Sequence, residues 1–300
     1  MRGWSVLPAV FAAFISCGCA QTQGAKPATI IPASATVTSP NAPPPASNQF
    51  VGFDSNTYPG DDTMAAMHKT FAFTGYWLTV PPGAMFNQWK GKHEILKQQG
   101  WGFLALANGR LEAQIAKAQK AGTKPENLGR KDAAIAIASA KAEGFPDHTI
   151  LFLDQEEGGR LTGPQAAYLL AWTETVAASG FRPGVYASGT RVEDDPGVFI
   201  NTVQDIRDRV GKGHLHTVAI FDAQDECPPA PGCTLTPKPL SATGLPDLVA
   251  WQYSQSPRRP DITKSCGATY SANGKCYAPG FPNVFLDMDV AASADPSQGR

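Results

Sequence analysis

Eight apolar, β-rich runs separated by helical stretches predict an α/β fold, a (β/α)8 TIM-like barrel that is irregular in its last part. The runs are FVGFDSN (50–56), FAFTGYWLTV (71–80), WGFLALANG (101–109), HTILFLDQE (148–156), RPGVYAS (182–188), HTVAIFDAQ (216–224), DLVAWQYS (247–254) and NVFLDMDV (283–290). Helical patterns fall between the first six, at 61–69, 86–99, 111–121, 130–143, 163–179 and 198–210. Strand–helix alternation implies parallel pairing, and eight such strands close into a barrel. An open doubly wound sheet is the alternative. No G-x-G-x-x-G follows a strand, which weakens its dinucleotide-binding version.

The chain has 300 residues, 42% of them hydrophobic, enough for one large core. Net charge is −1 and no long basic run occurs, which argues against nucleic acid as a partner. Residues 1–20 read as a signal peptide. Arg2 supplies a short positive region, and the apolar run from Trp4 to Ser16 is too short to span a bilayer. A lipoprotein signal is the variant reading, with Cys19 (after Gly18) or Cys17 (after Ser16) as the acylated residue. Neither has the usual Leu three residues upstream, and plain cleavage after Ala20 stays open. Membrane attachment is expected only through such a lipid. Residues 21–49 are rich in Ala, Pro, Ser and Thr with the single charge of Lys26, a semi-extended linker. The barrel is expected over 50–292 and a tail over 293–300.

Each element has its own signal. KDAAIAIASAKAEG is Ala-rich and closes on Gly144, a helix with a C-terminal stop, and GPQAAYLLAWTETVAASG repeats that logic up to Gly180. The two late connections are loop-like and carry Cys227, Cys233, Cys266 and Cys276. An even count in an exported chain predicts two disulfides. Three pairings are open, and the local ones, Cys227–Cys233 and Cys266–Cys276, are the simplest. A zinc site is the competitor, and no close C-x-x-C pair supports it.

Several strands end in acid: Asp54 in GFDSN, Asp154 and Glu156 in LDQE, Asp222 in IFDAQ, and Asp287 and Asp289 in LDMDV. In a parallel barrel the C-terminal strand ends converge on one face, where active sites lie. Asp154 and Glu156 are two residues apart, so both point to one side of the strand. Crowding and burial raise some carboxyl pKa values and leave others ionised. Glycoside hydrolysis needs that split: an acid for the leaving oxygen, and a carboxylate to activate water or stabilise the cation-like transition state. A lone strand-end Asp is more often a turn or cap residue. Asp222 is read mostly as structural, and Glu157 beside Gly158 as a solvated turn. D-x-E and D-x-D could also hold a hard cation. Tyr76, Trp77, Tyr186, Trp251 and Tyr253 offer flat faces to a sugar, though barrel cores use aromatics too.

Other chemistries lack their signs. The five histidines make no H-E-x-x-H, and no G-x-S-x-G occurs. No cofactor or metal is expected, nor any partner subunit beyond a monomer.

The ordered set GFDSNTYPG, GYWL, GFPDHTILFLDQE, YLLAWTETVAASGFRPGVYAS, VAWQYSQ and LDMDV resembles the glycoside-hydrolase-like family once catalogued as domain of unknown function 1906. That family is itself similar to the family 25 lysozymes, the muramidases. The resemblance covers roughly residues 50 to 290. It implies a (β/α) barrel and a cell-wall polysaccharide, peptidoglycan, as substrate. It aligns Asp54 with the muramidases' first-strand Asp, and Asp154 and Glu156 with their D-x-E. Glu156 is then the general acid, and Asp154 orients or stabilises the reacting ring. Asp287 matches the Asp of their final V-D, and Trp251, Gln252 and Tyr253 match W-Q-Y. With Asp289, these join the expected substrate-binding set. One departure stands out: strand three reads FLALANGR, without the muramidases' K-x-[TS]-E-G-like segment. The expectation is an exported glycosidase of the cell envelope. A catalytically silent glycan-binding barrel and a metal-dependent hydrolase are the rivals.

Overall fold

The computed structural model describes residues 49–224, 237–254, 277–278 and 280–300. The linker, the leader with Cys17 and Cys19, and the loop cysteines Cys227, Cys233, Cys266 and Cys276 lie outside the described residues.

All eight expected strands form, and they close into one barrel. In chain order they are β1 (Phe50–Asp54), β2 (Phe73–Trp77), β3 (Gly102–Asn108), β4 (Ile150–Gln155), β5 (Arg182–Ser188), β8 (Ala219–Ala223), β9 (Leu248–Ser254) and β12 (Asp287–Ala291). The order around the barrel is β1-β12-β9-β8-β5-β4-β3-β2. Six helices accompany them: α1 (Asp61–Met67), α2 (His93–Gln98), α3 (Glu112–Lys120), α4 (Pro125–Glu143), α5 (Gly163–Ala177) and α6 (Thr202–Gly213). Two small hairpins interrupt the alternation, β6 (Val192–Asp195) with β7 (Val198–Ile200), and β10 (Tyr277–Ala278) with β11 (Phe281–Phe285).

The expectation of uniformly parallel strands fails at the last one. β12 runs antiparallel to both β1 and β9. A parallel neighbour needs a crossover, usually a helix, to carry the chain back to the starting end. The described part of the β9–β12 connection supplies a hairpin instead. β12 therefore enters from the mouth and ends at the opposite side.

Helix boundaries follow local chemistry. α5 starts at Thr162, whose hydroxyl accepts from Gln165 N while the Gln165 side chain accepts from Thr162 N, a capping box worth about 1 kcal/mol. α6 starts at Thr202 rather than 198 because Asn201 caps it, accepting from Gln204 N at 2.7 Å. α4 begins five residues earlier than expected, at Pro125, whose fixed φ suits the first turn. It stops at Gly144, which takes a left-handed φ of 82°. α2 is only His93–Gln98, since Pro81, Pro82 and Gly83 hold the preceding segment irregular.

Residues 293–300, expected as a tail, pack against the barrel's N-terminal end. β3 extends past the start of β4, leaving backbone groups without a strand partner. Asp295 Oδ1 accepts from Phe103 N at 2.9 Å, and Ser297 Oγ accepts from Ala105 N at 2.9 Å. Ser297 N donates to Phe103 O, and Ile150 N donates to Ser297 O, both at 2.8 Å. Ser297 is fully buried.

Outside the sheet, α4 and α5 pack closely at Gly129. A Cβ there would lie 2.2 Å from Tyr168 O on α5. Gly129→Ala is expected to force the helices apart and cost about 1–3 kcal/mol of stability. Urea unfolding of the two proteins measures it, and an unchanged midpoint would contradict this packing.

Candidate active site

Strand alternation decides which side chains enter the barrel. On β4, Phe152 and Asp154 face inward while Leu151 and Leu153 face the helices. Glu156 follows on the same side, just past the strand. On β1 the inward residue at the end is Asp54, and its partner across the antiparallel β1–β12 pair is Asp287. Together with Asn56, Trp77, Leu106, Tyr186, Phe221 and Gln252, these four acids line one cleft of about 70 Å³. Among the described residues, no Lys, Arg or His lines it.

Room for the acids is made by a missing side chain. A Cβ on Gly75 of β2 would stand 2.4 Å from the Asp54 Cβ. Asp54 is buried, and its Oδ2 accepts from Gln252 Nε2 at 2.7 Å. Gln252 Oε1 accepts in turn from the Tyr186 hydroxyl at 2.7 Å. Trp77 is held by its indole N–H, which donates to Ser55 O at 3.2 Å. Trp89 donates to the same carbonyl at 3.1 Å.

Burial governs the electrostatics. It pushes the Asp54 carboxyl well above the ordinary range, with the Asp287 charge adding to it and the Gln252 hydrogen bond opposing it. Asp154 is also pushed well up, by burial first and then by the charges of Glu156 and Asp54. Glu156 stands exposed at the rim, yet the cleft walls still desolvate its carboxyl enough to raise its pKa. The two carboxyls act on each other in opposite senses: the Glu156 side chain raises Asp154 further, while the Asp154 side chain opposes the rise of Glu156. A weak acid and a carboxylate thus sit side by side.

The structure brings Asp54, Asp154, Glu156, Asp287, Trp77, Tyr186 and Gln252 together. It does not bring Tyr76, Trp251 or Tyr253. Tyr76 faces outward from β2, packs on Trp89, His93, Phe103 and Phe145, and donates to Glu143 Oε2. Trp251 and Tyr253 do share a face, but it is the outer one, and the Trp251 indole donates to Gln224 O. Asp289 faces inward but lies beneath the cleft, fully buried. Asp222 also points outward, its pKa raised to about 7 by burial, with Gln224 donating to it. Glu157 is a tie rather than a solvated turn. Its Oε2 accepts from Glu112 N, at the start of α3, and from Gln165 on α5. Sequence reasoning missed Asn56, Leu106 and Phe221. Counting in twos along β3 and β8 would have put Leu106 and Phe221 on the inner face. Among the described residues, no group of three His, Cys, Asp or Glu is arranged to hold a metal ion.

Asp289 yields a stability prediction. Neither carboxyl oxygen has a hydrogen-bond partner, and burial followed by the charges of Asp54 and Asp287 pushes its pKa well above the ordinary range. The folded state therefore holds this proton at pH values where the unfolded chain has released it. Stability is complete below the unfolded value of about 4 and falls as pH rises towards the folded one. Asp289→Asn cannot ionise, so it should gain on the wild type as pH rises from 4 to 7. Urea unfolding across that range checks it, and a pH-independent difference would contradict it.

Residues 90–226 match the family described as Rv2525c-like, glycoside hydrolase-like domain. No curated protein matches the chain. Among solved structures, an uncharacterized protein of B. stearothermophilus superposes with TM-score 0.50 at 20% identity, covering 81% of this chain and 95% of that one. The Mycobacterium tuberculosis Tat-secreted protein Rv2525c, in complex with L-tartrate, gives 0.44 at 14% identity over 81% and 95%. The modular autolysin LytC of Streptococcus pneumoniae, in complex with synthetic peptidoglycan ligand, gives 0.45 at 12% over 81% of this chain and 46% of its own. The first of these is a likeness of fold. Over residues 90–226, which include Asp154, Glu156 and Tyr186, the chain is similar to the Rv2525c-like, glycoside hydrolase-like family, as its ordered motifs predict.

Proposed function

We propose that the protein is an exported glycoside hydrolase that cuts a β-glycosidic bond in peptidoglycan. The observation that carries this reading is the inward pair at the end of β4. Asp154 and Glu156, both raised by burial, stand in a cleft whose opposite wall carries Asp54 and Asp287. Glycosidic cleavage needs a protonated acid within reach of a carboxylate, and environment sets the two apart. The choice of peptidoglycan rests on the motif resemblance to the muramidases. Export rests on the N-terminal sequence pattern.

Glu156, at the accessible rim, gives its proton to the leaving oxygen as the C1–O bond breaks. Asp154 below it is then also ionised and faces the cleft as a second carboxylate. Positive charge grows at the anomeric carbon, and Asp54 and Asp287 face it from the other wall. Water adds to that carbon, and its proton returns to Glu156. Trp77 and Tyr186 offer the ring faces on which the sugar packs.

A glycan-binding barrel without turnover is the second reading. The sequence feature favouring it is FLALANGR on β3, which puts Leu106 where a more polar segment would supply further groups. Reducing-end release from purified peptidoglycan separates the two. The wild type should release ends, Glu156→Gln should lose about 10²–10⁴-fold in rate, and a chelator should change neither. Glycan retained by both proteins without release would establish the binding barrel instead. Chelator-sensitive release would establish a metal-dependent hydrolase.

A further inference from the structure

The hydrogen-bond chain Tyr186–Gln252–Asp54 joins β5, β9 and β1 behind the cleft, and the proposed bond cleavage makes no use of it. Each link has a polarity. A phenol hydroxyl can donate to the carbonyl end of an amide, or accept from its nitrogen end. Here Tyr186 donates to Gln252 Oε1 at 2.7 Å, which turns Nε2 towards Asp54 Oδ2, also at 2.7 Å. An amide N–H only donates, so Asp54 Oδ2 must accept and carries no proton on that side. Flipping the amide would reverse every link, and Asp54 would then donate through Oδ2 into the protein wall.

We propose that Tyr186 and Gln252 are positioning residues whose hydrogen-bond polarity fixes Oδ2 of Asp54 as an acceptor and leaves Oδ1 as the oxygen that takes up or releases a proton towards the cleft. The packing supports a fixed arrangement. Gln252 is 3% exposed, and the Tyr186 ring rests edge-on against Phe221 with centroids 4.9 Å apart. Among the described residues, the titratable groups around Asp54 are carboxyls and one phenol. β12 contributes Asp287 and Asp289, β4 contributes Asp154 with Glu156 beyond it, and β5 contributes Tyr186. β2, β3 and β8 present Trp77, Leu106 and Phe221, which carry no charge. Among the described residues, the Gln252 amide is the group that favours the ionised form of Asp54. An unlocked amide would favour the protonated form instead.

The inference rests on the glycosidase reading for its catalytic meaning, but its test reads protons rather than turnover. Infrared difference spectra of the full chain would follow the protonated-carboxyl band that Asp54→Asn removes. Tyr186→Phe keeps the ring and deletes the lock; Gln252→Met deletes the relay. Both should raise the Asp54 midpoint by about one pH unit, a tenfold change in ionisation. Tyr186→Phe should also move the band, as the proton becomes free to occupy Oδ2. On glycan, kcat should fall with KM within about twofold, and the limb of the pH profile that follows Asp54 should move alkaline. An unmoved midpoint in a folded Tyr186→Phe protein overturns the proposal. If the variants do not fold, the wild type still decides. The Gln252 side-chain amide resonance should track Asp54 ionisation in an NMR pH titration, and a resonance indifferent to it overturns the proposal. A protein inert on peptidoglycan would defeat the glycosidase reading and leave these midpoints readable.

Discussion

Like charges forced together away from water set the terms for the rest of this barrel. Asp54, Asp154, Glu156 and Asp287 line one cleft without a cation among its described lining residues, and Asp289 lies buried beneath them. Carboxylates at such range in a low-dielectric pocket cannot all ionise, and the protein keeps protons on some of them. Much of the surrounding detail serves that condition. Gly75 leaves space for Asp54, Gln252 fixes one of its oxygens, and Asp154 and Glu156 shift each other's proton affinity. Glu156 is the most exposed of these acids and Asp287 is partly exposed, so the cluster meets solvent at the rim, where a glycan would arrive.

The strands were legible because their period is short and their ends are marked. Asp154 and Glu156, two apart after an apolar run, announce a face and a terminus together. The aromatic neighbours were not legible in the same way. Tyr76 and Trp77 are adjacent, so one must face out; no residue in GYWL says which, and only the register of β2 against Asp54 decides. Trp251 and Tyr253 flank Gln252, and the sequence emphasises the two large rings. The inner position belongs to the smaller amide because Asp54 needs a donor there. The reversal of β12 was hidden for a different reason. Its own alternation reads the same in either direction, so direction depends on whether a helix precedes it. Nor does ADPSQGR look like structure, since Asp295 and Ser297 act through single side-chain hydrogen bonds rather than through a pattern.

The two ends of the barrel meet opposite demands. At the N-terminal end, residues 293–300 supply partners for strand groups that β4 starts too late to reach, so burial there leaves Phe103, Ala105 and Ile150 backbone groups satisfied. Towards the other end, Asp154 Oδ1 at the mouth and both oxygens of Asp289 beneath it are buried without partners among the described residues. Each such atom costs about 1–3 kcal/mol relative to a paired one. A fold under selection for stability alone would place an amide or an apolar side chain at these positions. Unpaired acids at and beneath the mouth fit a site that meets its missing partner only when positive charge develops in the cleft. On that argument the instability of the mouth and the chemistry proposed for it have one cause, and the closed base is what allows the barrel to carry both.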